Sequence, residues 1–294
     1  MHAKKLKANA FLLLAAFIWG MAFVAQSKGM ESCGPFLFNG VRTLLGGLVL
    51  LPVISWLDKK EKREKEAKKW PILGGICCGL VLFLASSSQQ IGLLETGPGK
   101  AGFITALYVV LVPVFSLFFG KKTTAITWVS IGIAIFGMYL LCLDGESFTL
   151  AKSDLLVLLC AVLFACHIMV IDYFAPHVDC VRMACLQFFA SGILSLLVAC
   201  FAEEIQLTYI LDAAVPILYT GVLSSGVAYT LQVVAQKDTD PASALICSLE
   251  SVFALLGGFL IMGELFSARE LWGCVLTFGA ILLSQLPVFQ NRKV

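Results

Sequence analysis

The chain has 294 residues, of which 59% are apolar and only 14% charged, with a mean hydropathy of +0.92. Soluble domains carry about 25% charged and roughly 45–50% apolar residues, so a water-facing fold is excluded and lipid is the better solvent for this composition. A net charge of +2 gives no reason to expect nucleic acid as a partner.

A helix needs about 20 residues to cross about 30 Å of hydrocarbon. Ten segments approach that length: 8–27, 36–57, 71–92, 98–119, 126–143, 154–172, 181–202, 213–235, 241–262 and 268–287. The fifth and sixth are the shortest and carry edge charges. Lys4, Lys5 and Lys7 ahead of the first segment resemble a secretory leader. The run from Ala8 to Gln26 is too long for one and no A-x-A site closes it, so it reads as an uncleaved first span. Thr96-Gly97 before Pro98 and Thr239-Asp240 before Pro241 have the composition of caps followed by a first-turn proline. Gly120 and Gly145 stand where helices should stop. Connections are mostly short, so neighbouring helices should run antiparallel within a single membrane domain, 1–294. With the N-terminus inside, sixteen of the 21 Lys and Arg residues fall in the inner segments, seven of them between Lys59 and Lys69. That asymmetry predicts both termini in the cytoplasm.

The chain also repeats. Gln89 and Gln232, Thr96 and Thr239, Pro98 and Pro241, Ala101 and Ala244, and Gly120 and Gly263 are each 143 positions apart. Earlier, at an offset of 145, Arg42 faces Gln187 and Trp19 faces Phe164. Residues 1–145 and 146–294 therefore read as two five-helix units. Five is odd, so the second must enter from the opposite side, the inverted repeat typical of secondary transporters.

Ionisable groups within hydrocarbon cost at least about 2.5–3.5 kcal/mol, so each needs a reason. Glu250, well inside the ninth segment, reads either as a proton or substrate-amine site or as a neutral packed acid. Arg42 either holds a carboxylate or phosphate bidentately or snorkels to the interface. His167, one turn before Asp172, is a proton relay or a hydrogen-bonded core residue. Gln89 and Gln232 can contact polar substrate groups or bond across helices. Trp19, Tyr108 and Tyr229 can wall a cavity or simply pack. Gly75-xxx-Gly79 and Gly221-xxx-Ser225 should admit close helix contacts, and Pro113 should bend the fourth helix. Most of the eleven cysteines, such as Cys77, Cys78, Cys160 and Cys185, sit in apolar runs without metal-site spacing and read as packing residues. No phosphate loop, protease, hydrolase or selectivity-filter motif appears, so neither catalysis, metal nor cofactor is expected.

Ala16-Phe17-Ile18-Trp19-Gly20, Arg42, Ser248-Leu249-Glu250-Ser251-Val252-Phe253-Ala254, Gly263-Glu264 and Gly279 together resemble the drug/metabolite transporter superfamily, in its EamA-like ten-helix branch. The likeness spans the whole chain, though Ser251 stands where the family often has proline. It implies an all-α membrane protein of the cell membrane that carries a small-molecule substrate, with a central cavity lined by both repeats. Trp19, Arg42, Gln89, Tyr108, Tyr229, Gln232 and Glu250 are the candidate substrate contacts, and Glu250 and His167 the candidates for proton coupling. A membrane enzyme acting on lipid and a non-transporting scaffold are the other classes. The first predicts acids or histidines clustered at one membrane face, and the second a closed bundle.

Overall fold

The computed structural model describes residues 2–61, 71–117, 125–142, 151–174, 177–236, 246 and 249–290; the expected caps and stops at Thr239, Asp240, Pro241, Gly120 and Gly145 lie outside them. Among the described residues all regular elements are helical. They are α1 (His2–Gly29), α2 (Pro35–Glu61), α3 (Ile72–Gly92), α4 (Pro98–Ala106), α5 (Tyr108–Ser116), α6 (Ala125–Cys142) and α7 (Lys152–Phe174). There follow α8 (Cys180–Ala202), the short α9 (Leu207–Asp212) and α10 (Ala214–Leu218), α11 (Tyr229–Gln236), α12 (Glu250–Gly257) and α13 (Ala268–Gln290). A π-helical stretch, Tyr219–Ala228, joins α10 to α11, and another, Gly258–Met262, continues α12.

Among the described residues six helices are long and apolar enough to cross a membrane: Leu6–Gly29, Pro35–Lys59, Ile72–Gly92, Lys152–Ile171, Cys180–Ala202 and Ala214–Leu231. Pro98–Val112, Trp128–Leu141 and Glu250–Met262 are shorter apolar helices. Large apolar side chains such as Leu48, Leu84, Ile135, Ile193 and Leu260 point outward, while Ala, Gly and Ser residues fill much of the interior. Lipid tails are as apolar as leucine, so the bundle gains by packing small residues closely rather than by hiding large ones. A Cβ on Gly75 would fall 2.4 Å from Leu186 Cβ, and one on Gly79 2.5 Å from Ala190 Cβ, so this pair seats α3 against α8. The Gly221/Ser225 pair seats the 219–228 stretch against α2 at Leu45 and Gly46 in the same way.

Local signals set several boundaries. Asp179 caps α8, accepting from Val181 N (3.0 Å) and Arg182 N (3.1 Å). Gly263, at φ +69°, ends the ninth segment's helix in the left-handed region. One expectation is corrected. Thr96 does not cap α4 but donates to Asp154 Oδ1 (2.9 Å), and the free amide of Gly99 is met instead by Glu264 Oε2 (2.9 Å). Within the fourth segment a single turn residue, Leu107, stands between α4 and α5, its N donating to Ile104 O (3.2 Å), and Pro113 lies inside α5.

The packing is mirrored between the halves. Helix α2 lies against α8, α6 against α13 and α4 against α12. Helix α1 packs on the 219–228 stretch and α12, as α7 packs on α3 and the α4–α5 pair. At one end of the α2/α8 pair, Asp58 near the close of α2 meets Arg182 in the first turn of α8 (2.6 Å). At the other end, Glu203 after α8 accepts Phe36 N and Leu37 N in the first turn of α2 (2.8 Å each). The two helices are therefore antiparallel, and each is closed by an acid at the other's start.

Candidate functional site

Asn39 and Arg42 lie one turn apart on α2. Asn39 is wholly buried and Arg42 is 9% exposed. Asn39 Nδ2 donates to Ser86 Oγ on α3 (2.9 Å) and to Ser195 Oγ on α8 (2.8 Å), while its Oδ1 accepts from Arg42 Nε (3.1 Å). The guanidinium is thus buried and held by its own helix through Asn39. Among the described residues no carboxylate forms an ion pair with it. Along α8, Gln187, Ser191 and Ser195 recur every four residues and share one buried face.

Tyr108 and Glu250 meet where the α4–α5 segment packs against α12. Helix α5 begins at Tyr108 directly after Leu107, and α12 begins at Glu250 directly after Leu249. In both places the preceding leucine bonds three residues back, Leu107 N to Ile104 O and Leu249 N to Ile246 O, at 3.2 Å each. Tyr108 Oη donates to Glu250 Oε1 (3.2 Å), and Glu250 is buried. Helix α1 closes on this junction: a Cβ on Gly20 would stand 2.6 Å from Glu250 O. The neighbouring Trp19 sends its Nε1 to Ser224 O (3.2 Å).

Rings continue inward from the junction. Phe164 lies 6.4 Å from Tyr108 and 6.3 Å from His167, centroid to centroid. His167 Nε2 in turn contacts Gln187 Oε1 (2.9 Å), the position paired with Arg42 in the sequence repeat. Tyr229 packs its ring edge-on against Phe188 (6.1 Å). Gln89 Nε2 donates to Thr105 Oγ1 (3.3 Å), and the adjacent Gln90 bonds Gln26 Oε1 (2.5 Å). The side chain of Gln232 lies outside the described residues.

So Tyr108 and Glu250 come together, and His167 joins them through Phe164; Trp19 borders the junction by way of Gly20. Sequence reasoning missed Asn39, Ser86, Ser191 and Ser195. Their signal was available as polar residues at helical spacing within apolar runs.

At the end of the bundle where α2, α4 and α7 begin, Lys100 Nζ pairs with Asp154 Oδ2 (2.7 Å). Glu264 rests against Gly97, Gly99 and Gly258. Burial holds its carboxyl above the ordinary carboxylate value, and the backbone amides of Gly99 and Lys100 pull the other way. Among the described residues no group of three His, Cys, Asp or Glu could hold a metal ion.

The model of the EamA-like transporter family matches twice, over residues 6–143 and 151–286. An "uncharacterized transporter" of Archaeoglobus fulgidus is 33% identical over 97% of this chain and 88% of its own. The "uncharacterized transporter YoaV" of Bacillus subtilis is 23% identical over 96% and 98% of the two chains. The "uncharacterized inner membrane transporter YedA" of Escherichia coli is 26% identical over 91% and 87%. A solved crystal structure shares the fold with a TM-score of 0.67 at 19% identity, covering 97% of this chain and 98% of that one.

Proposed function

The chain belongs to the EamA-like transporter family, a multi-pass membrane transporter of small molecules, and from that premise we propose that it is a secondary carrier working by alternating access. Ten crossings form one membrane domain of two inverted five-helix repeats, 1–145 and 146–294, with both termini cytoplasmic. Its cargo is a small polar or amphipathic metabolite, of which amino acids are one class. Rocking of one repeat against the other would expose a shared site to each face in turn. The observation that carries this reading is the reciprocal closure of α2 and α8, by Asp58–Arg182 at one end and Glu203 at the other. Two inverted copies of one unit would generate that arrangement.

The site is built around the junction of the α4–α5 segment with α12. Tyr108, at the start of α5, and Glu250, at the start of α12, meet where α4 packs against α12. Trp19 and Tyr108 would wall the cargo near the middle of the bundle, with Tyr229 further along. Gln89 and Gln232 would supply polar contacts, and Arg42 and Glu250 the charge recognition. Glu250 is the first candidate to carry a coupling proton, because a buried carboxyl held by one tyrosine hydroxyl can exist in both charge states. His167 is the second.

The test is accumulation of a labelled metabolite panel in proteoliposomes under an imposed pH gradient. The wild type should accumulate at least one compound on the gradient alone. Glu250→Gln should still exchange that compound but lose the gradient-driven component. Unchanged pH dependence in Glu250→Gln removes this residue from coupling; failure of every compound to move removes the carrier reading.

A further inference from the structure

The Arg42 cluster bears a charge that nothing described in the protein balances. A guanidinium within the hydrocarbon span costs at least about 2.5 kcal/mol, and a buried cation is normally paired or coordinated. Here its sole described hydrogen bond is with an amide, Asn39, through Nε.

Asn39 is itself saturated. Its oxygen accepts from Arg42 and its two N–H donors go to Ser86 and Ser195 on two other helices. Three helices therefore fix the amide, and the amide fixes the guanidinium. An arginine can grip a carboxylate side-on, using Nε and one Nη, or end-on, using both Nη groups. With Nε already committed, the end-on face is what remains. One turn from Ser195, the buried Ser191 Oγ has no hydrogen-bond partner among the described residues and offers a further hydroxyl on the same face of α8.

Resting on the carrier reading above, we propose that Arg42 is the anion subsite for the cargo, and that the cargo bears a single carboxylate held end-on by the two Nη groups. Asn39 is its positioning residue. One positive charge in a low-dielectric site balances one negative charge; a phosphate dianion would leave a buried unpaired charge, which is strongly unfavourable.

The experiment measures binding to the full-length protein in detergent, independently of transport. The thermal midpoint is followed at about pH 8 against acetate, phenylacetate and leucine, with phenylacetamide and phenyl phosphate as controls. Phenylacetate or leucine should raise the midpoint of the wild type, whereas phenylacetamide should not and phenyl phosphate should bind more weakly. Arg42→Gln should weaken carboxylate binding at least about tenfold. Asn39→Asp is the second variant. It is nearly isosteric, keeps Arg42, and supplies a carboxylate at Nε, so it should abolish the ligand shift while the protein remains folded.

Equal shifts by the acid and the amide, tighter binding of phenyl phosphate, no shift by any of the three carboxylates, or an undiminished shift in Asn39→Asp would each overturn the proposal. Loss of the carboxylate shift with transport intact sinks the subsite alone. A carboxylate shift with no transport of any compound sinks the carrier reading instead.

Discussion

Gly20 is the residue at which helix α1 touches the Tyr108–Glu250 junction, and the contact leaves no room for a side chain. A Cβ there would fall 2.4 Å from Phe253 Cβ, 2.6 Å from Glu250 O and 2.9 Å from Ala254 N. Two of these three obstacles are backbone atoms, which cannot swing aside as a long side chain can. Gly20→Ala should therefore push α1 from α12 and destabilise the protein by about 1–3 kcal/mol, the usual cost of overpacking. A thermal midpoint in detergent within a degree of the wild type would show that the helices are looser than this geometry implies. Several residues of the site were legible in the sequence for a simple reason: charge inside hydrocarbon is conspicuous, and Arg42 and Glu250 stand out on composition alone. The bonds they make were not legible. Asn39 is 47 positions from Ser86 and 156 from Ser195, and only the fold brings the three together.

Element by element, the helix ends behave as charge receptors. Glu264 reaches the start of α4, accepting from Gly99 N, and its carboxyl is held above the ordinary value of 4.5 chiefly by burial. In the unfolded chain this group loses its proton near 4.5, while in the folded protein it keeps it to higher pH. The folded state therefore binds more protons across that window, and stability falls as pH rises through it, being fully present below the unfolded value. The thermal midpoint of the wild type, minus that of Glu264→Gln, should accordingly decline as pH rises from about 4 to about 8. A flat difference would mean that the amides of Gly99 and Lys100 cancel the effect of burial, and a rising one that they outweigh it. The tight turns at Leu107 and Leu249, each bonding three residues back, were harder to foresee than these ends. Leucine is among the better helix formers, so neither Leu107 nor Leu249 announces a turn. Pro113 looks like the natural breaker, yet it is the sixth residue of α5, where a proline removes the amide that would otherwise bond Val109 O, and the helix runs on past it to Ser116.

At the scale of the whole molecule, the repeat read from Pro98, Pro241 and their neighbours has a physical counterpart in how the halves pack. If the second unit simply followed the first in the same sense, α2 and α8 would be parallel, and Asp58 would lie near Glu203. Instead Asp58 meets the start of α8 and Glu203 meets the start of α2, so the two acids stand at opposite ends of one helix pair. Lys59, exposed at the close of α2, and Glu204, exposed after α8, should then lie on opposite sides of the bilayer. On the orientation proposed above, from the weight of Lys and Arg between Lys59 and Lys69, the first of them should lie inside. A cysteine introduced at each position, in a background freed of native cysteines, makes this measurable with a maleimide that cannot cross the membrane. Glu204→Cys should label in intact cells, and Lys59→Cys only after the membrane is opened. Labelling of both from outside would mean that the halves are not inverted, and the rocking mechanism would lose its geometric basis. If Lys59→Cys alone labelled in intact cells, the inversion would stand and the orientation of the whole bundle would reverse. That outcome would place the Lys100–Asp154 pair and the Glu264 contact on the cytoplasmic face.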